Sequence, residues 1–183
     1  MLNVKTGLIQ CDEARATPGY RIFSPLGALN TFIINMAGEV VHSWDLPFEP
    51  GNYGYLLPNG NMLSAVRTPD GPRGLPAKGG LMQERDWDGK VLWEFQDDLQ
   101  HHDFRRCKNG NTLYLRWELL KEESEKRIQG GLAGSEHDDG IWGDVIREIE
   151  ADGTVVWEWR AEDCEEMYSF PINPMCPRHE WCH

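Results

Sequence analysis

A pattern that recurs three times along the chain limits its fold more than any other feature of the sequence. Thr31–Leu46, Leu81–Gln96 and Val145–Arg160 each contain a short apolar run, a turn that ends in glycine, and a second run with alternating apolar residues. In the second and third segments the turn contains Asp-Gly, which favours a hairpin because glycine tolerates positive φ. Val, Ile and Trp on both sides of the turns favour strands. The pattern therefore predicts three antiparallel hairpins.

A second pattern lies between these hairpins. Tyr53–Ala65 and His102–Leu115 resemble each other around a shared Asn-Gly-Asn sequence, and the two central glycines, Gly60 and Gly110, are 50 residues apart. Asn-Gly flanked by apolar runs is a hairpin signal. We therefore predict two further hairpins, which alternate with the first three.

One long segment interrupts the repeat. The turn glycines of the first pattern are 51 and then 64 residues apart, so an insertion separates the last two hairpins. The insertion, Glu118–Gly143, is charged and glycine-rich and lacks strand alternation. It predicts a long loop with one helical turn around Leu119–Arg127. A solvated insertion and a functional loop both fit this composition.

Two hairpins in about 50 residues give four strands per repeat, which is typical of β-propeller blades. The sequence predicts an all-β fold with about three four-stranded antiparallel blades. A partial blade one covers residues 20–46, blade two covers 53–95 and blade three covers 102–159. A proline-rich link follows, and a fourth blade is expected to start near His183. We expect the ring to be completed either by more sequence or by a second chain, because open strand edges invite association.

Composition excludes several classes of function. The net charge of −12 argues against a nucleic-acid partner and against docking on anionic membranes. The chain contains no apolar run near the ~20 residues that span a bilayer, and its first residues lack a signal-peptide pattern, so a cytoplasmic location is expected. Five scattered cysteines favour reduced thiols. Walker and GxGxxG motifs are absent from the sequence, so we expect no cofactor.

Several short strings resemble arylsulfate sulfotransferases, and the resemblance spans roughly residues 18 to 183. The His-His-Asp string is the most specific of them. The strings are Pro18-Gly-Tyr-Arg-Ile-Phe-Ser-Pro, Gly38-Glu-Val-Val-His-Ser-Trp, Leu56-Leu-Pro-Asn-Gly-Asn-Met-Leu, Asp86-Trp-Asp-Gly-Lys-Val-Leu-Trp-Glu, His101-His-Asp-Phe-Arg-Arg-Cys-Lys-Asn-Gly-Asn-Thr-Leu and Asp152-Gly-Thr-Val-Val-Trp-Glu-Trp.

The resemblance implies a six-bladed propeller that moves a sulfuryl group from an aryl sulfate to a phenol through channel histidines. It implies no nucleotide-activated donor. In this family a histidine accepts the sulfuryl group first, and further histidines and an arginine hold the sulfate oxygens. The present chain has roughly half the expected length. The sulfurylated histidine and the key arginine therefore belong to blades that this sequence does not contain.

Histidines are the candidate catalytic residues. Side chains alternate along a strand, so His101 and His102 are expected to point to opposite faces unless a bulge intervenes. We expect His102 to face the channel, with His101 or Asp103 as support, because imidazole can act as nucleophile or general base near neutral pH. By resemblance, His183 lines the site from the next innermost strand.

Arginines and aromatic residues are the candidate substrate-binding groups. A guanidinium group suits a tetrahedral anion because it donates paired hydrogen bonds. Aromatic rings can stack on an aryl substrate. The candidates for the anion are Arg67, Arg105 and Arg106, and those for the aryl group are Tyr53, Tyr55, Trp117 and Trp142.

Three functions stay open at this point. The first is sulfuryl transfer, and the second is a lyase or hydrolase on the same scaffold that uses His102 as acid or base. The third is a non-enzymatic binding propeller. A zinc site is a weaker alternative, because its spacing matches no usual zinc-binding pattern. Its ligands would be Cys176, His179, Cys182 and His183.

Overall fold

The computed structural model describes residues 7–136 and 138–181 of the chain. Within them the fold is all-β, with a three-stranded sheet A, two four-stranded sheets B and C, and a two-stranded sheet D. Sheets A, B and C are antiparallel, which confirms the predicted all-β character and, in sheets B and C, the four-stranded antiparallel sheets. No sheet in the described part closes on itself.

The strands run in chain order and mostly pair with their sequence neighbours. Sheet A has the order β1-β2-β3 and sheet B the order β4-β5-β6-β7, while sheet C has the order β12-β11-β9-β8. Their bounds are β1 Arg21–Phe23, β2 Asn30–Ile34, β3 Val40–Asp45, β4 Pro50–Leu56, β5 Met62–Arg67, β6 Gly80–Arg85, β7 Val91–Gln96, β8 Gln100–Arg106, β9 Thr112–Leu119, β10 Gly130–Leu132, β11 Trp142–Ile149, β12 Val155–Arg160 and β13 Ile172–Pro177.

The Asn-Gly-Asn turns form where the sequence predicts them and are tied to the following hairpin. Gly60 and Gly110 have φ of 88° and 91°, which glycine adopts without steric cost. Asn61 donates to Glu84 over 2.7 Å in sheet B. Asn111, its equivalent in sheet C, donates to Glu148 over the same distance. The repeat therefore extends to individual hydrogen bonds.

Sheet A departs from the prediction. Residues 20–46 were expected to supply two strands, but they supply three, because β1 pairs with β2 through Phe23 opposite Phe32. The sequence Arg-Ile-Phe is too short to show alternation. Within the described residues, sheet A thus lacks only the strand equivalent to β4 and β8.

Sheets A and B pack face to face over one apolar cluster. Ile33 and Trp44 lie on the face of sheet A that points towards sheet B, and Met62 and Val66 meet them from sheet B. We call these two faces the front of sheet A and the back of sheet B. All four side chains are at most 5% exposed, and burying such a side chain stabilises the fold by about 1.5–3 kcal/mol.

Sheets B and C repeat this arrangement. Leu63 and Met82 lie on the other face of sheet B, its front, and are fully buried. They pack against Phe104, Tyr114 and Ile149, which form the back of sheet C. In both cases the front of one sheet meets the back of the sheet that follows it in the chain.

Tryptophan side chains join neighbouring sheets across these contacts. The Nε1 of Trp44 in sheet A donates to the Asp86 carbonyl of sheet B over 2.8 Å. The Nε1 of Trp93 in sheet B donates to the Ala151 carbonyl beside sheet C, also over 2.8 Å. Each bond satisfies an indole N–H, and each ends on the turn of a hairpin in the next sheet. These rings therefore serve packing between sheets, as their repeated positions suggest.

The insertion after β9 is more structured than predicted. It contains the expected helical turn, α1 at Glu122–Glu125, but also strand β10. The predicted link after sheet C contains two 3-10 helices and strand β13, which pairs in parallel with β10. Arg178 secures this sheet D by donating to the carbonyls of Ile128 and Gly130. The two segments therefore form one unit against the end of sheet C.

The expected start of a fourth blade at His183 lies outside the described residues. None of the helices within 7–136 and 138–181 has the length and apolar character required to cross a bilayer.

Candidate functional site

His101 and His102 lie at an irregularity in β8, the edge strand of sheet C. The register changes between His101, which pairs with Leu115, and Phe104, which pairs with Tyr114, so two residues bulge out of the ladder. His102 has φ of 48°, in the left-handed region. The bulge cancels the simple alternation and brings the two Nδ1 atoms to 2.8 Å. The two candidate histidines therefore share a hydrogen bond instead of pointing apart.

The loop after β5 and the strand β4 hold the backbone of His102 in this conformation. Its N–H donates to the Ala77 carbonyl over 2.9 Å. The side chain of Asn52 reaches its carbonyl from β4 over 3.4 Å. Ala77 also has positive φ, 52°. Left-handed backbone at a non-glycine residue costs about 1–3 kcal/mol and concentrates at functional sites, which makes the His102 position a candidate for chemistry.

His101 is fully buried and held on two sides. Its ring stacks on Trp117 of β9, with centroids 4.3 Å apart. Its Nε2 lies 3.4 Å from the Asp144 carboxylate of β11. The Trp117 indole in turn donates to Glu180 over 2.6 Å. His101 therefore has a fixed ring plane and a defined charged neighbour.

These contacts favour one arrangement of protons. A lone pair on Nε2 of His101 would be repelled by the Asp144 carboxylate, so the proton of the neutral ring belongs on Nε2. Its Nδ1 is then an acceptor, and Nδ1 of His102 is the donor. Neutral His102 consequently carries its lone pair on Nε2, where a general base needs it.

Tyr53, Asp103 and Arg105 form a polar cluster beside the histidines. The Tyr53 hydroxyl donates to Asp103 and accepts from Arg105, and Arg105 also pairs with Asp103 at 3.1 Å. Burial, followed by the bond to Asp103, raises the pKa of Tyr53 to about 12. The Tyr53 ring stacks on Phe104. The phenol is therefore neutral at physiological pH and part of a fixed network.

The other predicted binding residues lie in other contacts. Arg106 pairs with Glu84 at 3.0 Å and covers the Trp93 ring. Its backbone N–H donates to the Tyr55 hydroxyl over 2.8 Å. Arg67 lies 3.8 Å from Glu49 and is half exposed. The described contacts thus bring Tyr53 and Arg105 together near the histidines, and place Arg106 and Arg67 elsewhere.

Trp117 has a different role from the one expected. It is fully buried between His101 and Glu180, so its face is not open to an aryl substrate. Trp142 is half-buried at the start of β11, where its backbone N–H donates to the His179 carbonyl.

The zinc alternative falls partly outside the described residues, since these omit Cys182 and His183. Cys176 is exposed on β13. Within 7–136 and 138–181 no group of three His, Cys, Asp or Glu side chains could hold a metal ion. His183 as a catalytic candidate also lies outside this part of the chain.

Asp144 and Asn52 were missed by sequence reasoning. Asp144 follows the predicted insertion directly and carries no motif. Only pairing of β11 with β9, which sets Asp144 opposite Trp117, brings its carboxylate to His101. Asn52 precedes the predicted blade two, and the only signal for it is its place next to Tyr53.

Comparisons with known proteins add little to this geometry. No protein-family model matches the chain, and no curated protein matches it. Among solved structures, the chain is similar to a protein of unknown function from Bacteroides caccae, with 16% identity and a TM-score of 0.48. The match covers 78% of this chain and 46% of that one. The chain therefore spans less than half the length of that protein.

Proposed function

We propose that the chain is part of a β-propeller enzyme that transfers a sulfuryl group from an aryl sulfate to a phenol, with His102 as general acid and base. The observation that carries this proposal is the 2.8 Å hydrogen bond between the Nδ1 atoms of His101 and His102. Together with the Asp144 carboxylate beside Nε2 of His101, this bond favours the tautomer of His102 that has its lone pair on Nε2, in a strained backbone position. The sequence resemblance around His101-His-Asp supplies the substrate class.

The proton transfer follows from this tautomer. In the two-step cycle that the resemblance implies, a histidine attacks sulfur first, the S–O bond to the donor aryl group breaks, and protonated His102 gives a proton to the departing phenolate. The phenolic oxygen of the acceptor then attacks sulfur while Nε2 of His102 takes its proton, and the new O–S bond forms as the bond between sulfur and that histidine breaks. Asp144 stabilises positive charge that spreads onto His101, because its carboxylate lies 3.4 Å from that ring.

The sheet packing is consistent with a propeller. Fronts and backs of successive sheets meet in the same way twice, and the edge strands β4 and β8 lie near each other. A radial array of such sheets directs its edge strands to one axis. In this arrangement His102, on edge strand β8, lies near the axis.

The test is release of 4-nitrophenolate from 4-nitrophenyl sulfate by the purified full-length protein, with and without added phenol. We expect release that depends on phenol. His102→Ala should slow it at least about 100-fold, the usual contribution of a general base. His42→Gln, at a half-buried histidine in sheet A, is the matched control and should keep the wild-type rate.

Two results would contradict the proposal. Absence of phenol-dependent release from the folded full-length protein would exclude sulfuryl transfer as its function. Release that proceeds equally well into water would identify a hydrolase instead.

A further inference from the structure

A cavity of about 510 Å³ lies between sheets A and B, beside the turn that joins β6 and β7. It is lined by His42 from the front of sheet A, by Arg85 from the back of sheet B and by Trp87 from the turn. The ladder partners of His42 and Arg85 are the core residues Ile33 and Met62. Further sheets of a propeller would pack on the back of sheet A and the front of sheet C, so this cavity stays open in a completed ring.

Three of the lining residues depart from the repeat. Counted from the turn glycines, each differs in size or polarity from the residues at the equivalent positions of the other two hairpins. The three are His42, where the others have Trp93 and Trp157; Arg85, where they have Ile34 and Ile149; and Trp87, where they have Met36 and Ala151. Departures from the pattern that specifies a fold are expected at functional sites. The departures therefore mark this cavity as a candidate binding site.

Arg85 brings a cation to the wall of the cavity. Its Nη1 donates to the Gly89 carbonyl over 2.9 Å, and its Nη2 donates to Gln83 over 2.7 Å. Its Nε is buried and has no hydrogen-bond partner within residues 7–136 and 138–181. Burial lowers the pKa of Arg85, and the carboxylates of Glu94 and Asp45 counter this effect only in part. Because a buried donor without a partner is costly, an oxygen atom that reaches Nε from the cavity would be held there.

The indole of Trp87 gives the cavity an aromatic platform. It stacks on the His42 ring with centroids 3.8 Å apart, and Trp44 meets it edge-on at 5.4 Å. These contacts fix the plane of the ring, yet Trp87 stays 51% exposed. A large ring held in this way can stack on the apolar face of a ligand. Asp88, which follows it in the turn, is an exposed hydrogen-bond acceptor at the same cavity.

These groups together define a class of ligand. It has an apolar face for the indole, an acceptor for Arg85 and a donor for Asp88. Charge is disfavoured, because an anion meets the carboxylates of Asp45 and Asp88 and a cation meets Arg85. A pyranose ring fits, since its carbon atoms form an apolar face and its hydroxyls both donate and accept. The volume is also in the usual range for small-molecule sites, about 300–1,000 Å³.

We propose that this cavity binds a sugar ring, stacked on Trp87 and held by Arg85 and Asp88. The proposal does not depend on the enzymatic one. The experiment is titration of the purified full-length protein with the methyl β-pyranosides of glucose, galactose and mannose, followed by tryptophan fluorescence and calorimetry. We expect saturable binding of at least one of them in the millimolar range, because one stacked ring and two hydrogen bonds exceed the cost of immobilising a small ligand only slightly. Sulfate, acetate and tetramethylammonium are the charged probes and should bind at least about tenfold more weakly.

Two substitutions remove the site and restore residues that the repeat uses elsewhere. Trp87→Ala and Arg85→Ile introduce the residue types of Ala151 and Ile149, so we expect both variants to fold, which circular dichroism measures. Each should weaken sugar binding at least about tenfold. Phe170→Ala, at another exposed aromatic ring, is the matched control and should bind the sugar as the wild type does.

Three results would overturn the proposal. The first is that none of the sugars binds at concentrations up to about 100 mM, which would mean that the cavity holds only water. The second is tighter binding of a charged probe than of any sugar. The third is a folded Trp87→Ala variant that binds sugar as well as the wild type, which would place the sugar elsewhere. Because Trp87 is half exposed, this variant keeps the test available even where Arg85→Ile does not fold.

Discussion

The fronts of sheets B and C have nearly the same residues and opposite surroundings. Leu63 and Met82 of sheet B are fully buried beneath sheet C. Their equivalents Leu113 and Ile146 line an open cavity. The difference does not come from local sequence, since both sheets use the same turns and alternation. It shows that burial in a repeat fold depends on the neighbouring sheet, so one substitution should have different effects at equivalent positions.

The largest expected difference in the free energy of unfolding is between Leu63→Ala and Leu113→Ala. At Leu63 the change leaves a cavity in a closed core and should lower the free energy of unfolding by about 2–5 kcal/mol. At Leu113 the side chain is only half-buried, and the loss should be about 1 kcal/mol or less. Urea unfolding at a protein concentration too low for association measures both. Equal losses would mean that the front of sheet C is as closely packed as that of sheet B.

A smaller difference is expected between Trp93→Phe and Trp157→Phe. Trp93 donates to the Ala151 carbonyl across the sheet contact, so removing its N–H should cost about 0.5–1.5 kcal/mol. Trp157 is the equivalent residue on β12 and is half exposed. Its replacement should change stability by less than about 0.5 kcal/mol. Thermal unfolding of both variants measures the two changes in stability. A large loss of stability in Trp157→Phe would contradict the exposed position of this ring on the front of sheet C.

The smallest difference in stability is expected between Asn61→Ala and Asn111→Ala, because each variant loses a hydrogen bond that lies within a single sheet. Hydrogen bonds from Asn109 and then Asn111 lower the pKa of half-buried Glu148. Their stabilising effect is present above the unfolded pKa of Glu148 and is lost as pH falls through the folded one. Asn111→Ala should raise that pKa, which an NMR titration of Glu148 measures. An unchanged Glu148 pKa would show that the bond does not form in solution.

The sequence was sufficient to predict the hairpins of sheets A, B and C because glycine turns fix them. Gly60, Gly89, Gly110 and Gly153 all have positive φ, and the alternation on either side sets the register. It was not sufficient for β1, whose three residues give no period. The sequence also could not distinguish the covered front of sheet B from the open front of sheet C, since the same apolar pattern occurs on both.

The candidate site was less predictable than the fold. The histidine pair could be named from its sequence, but its geometry depends on a bulge that usually shows itself by glycine. Here a histidine takes the bulge conformation, so no sequence signal exists. The carboxylate of Asp144 reaches His101 only through strand pairing 43 residues away in the chain, which no local pattern reveals.

The left-handed backbone of His102 has a consequence for how this position can change over generations. Glycine would relax the backbone there, although it would also remove the hydrogen bond to Nδ1 of buried His101. The backbone conformation alone therefore gives no reason to keep an imidazole at this position, and selection for what the ring does is needed to maintain it. A lineage in which that selection is relaxed should exchange this residue early, while the surrounding sheet persists.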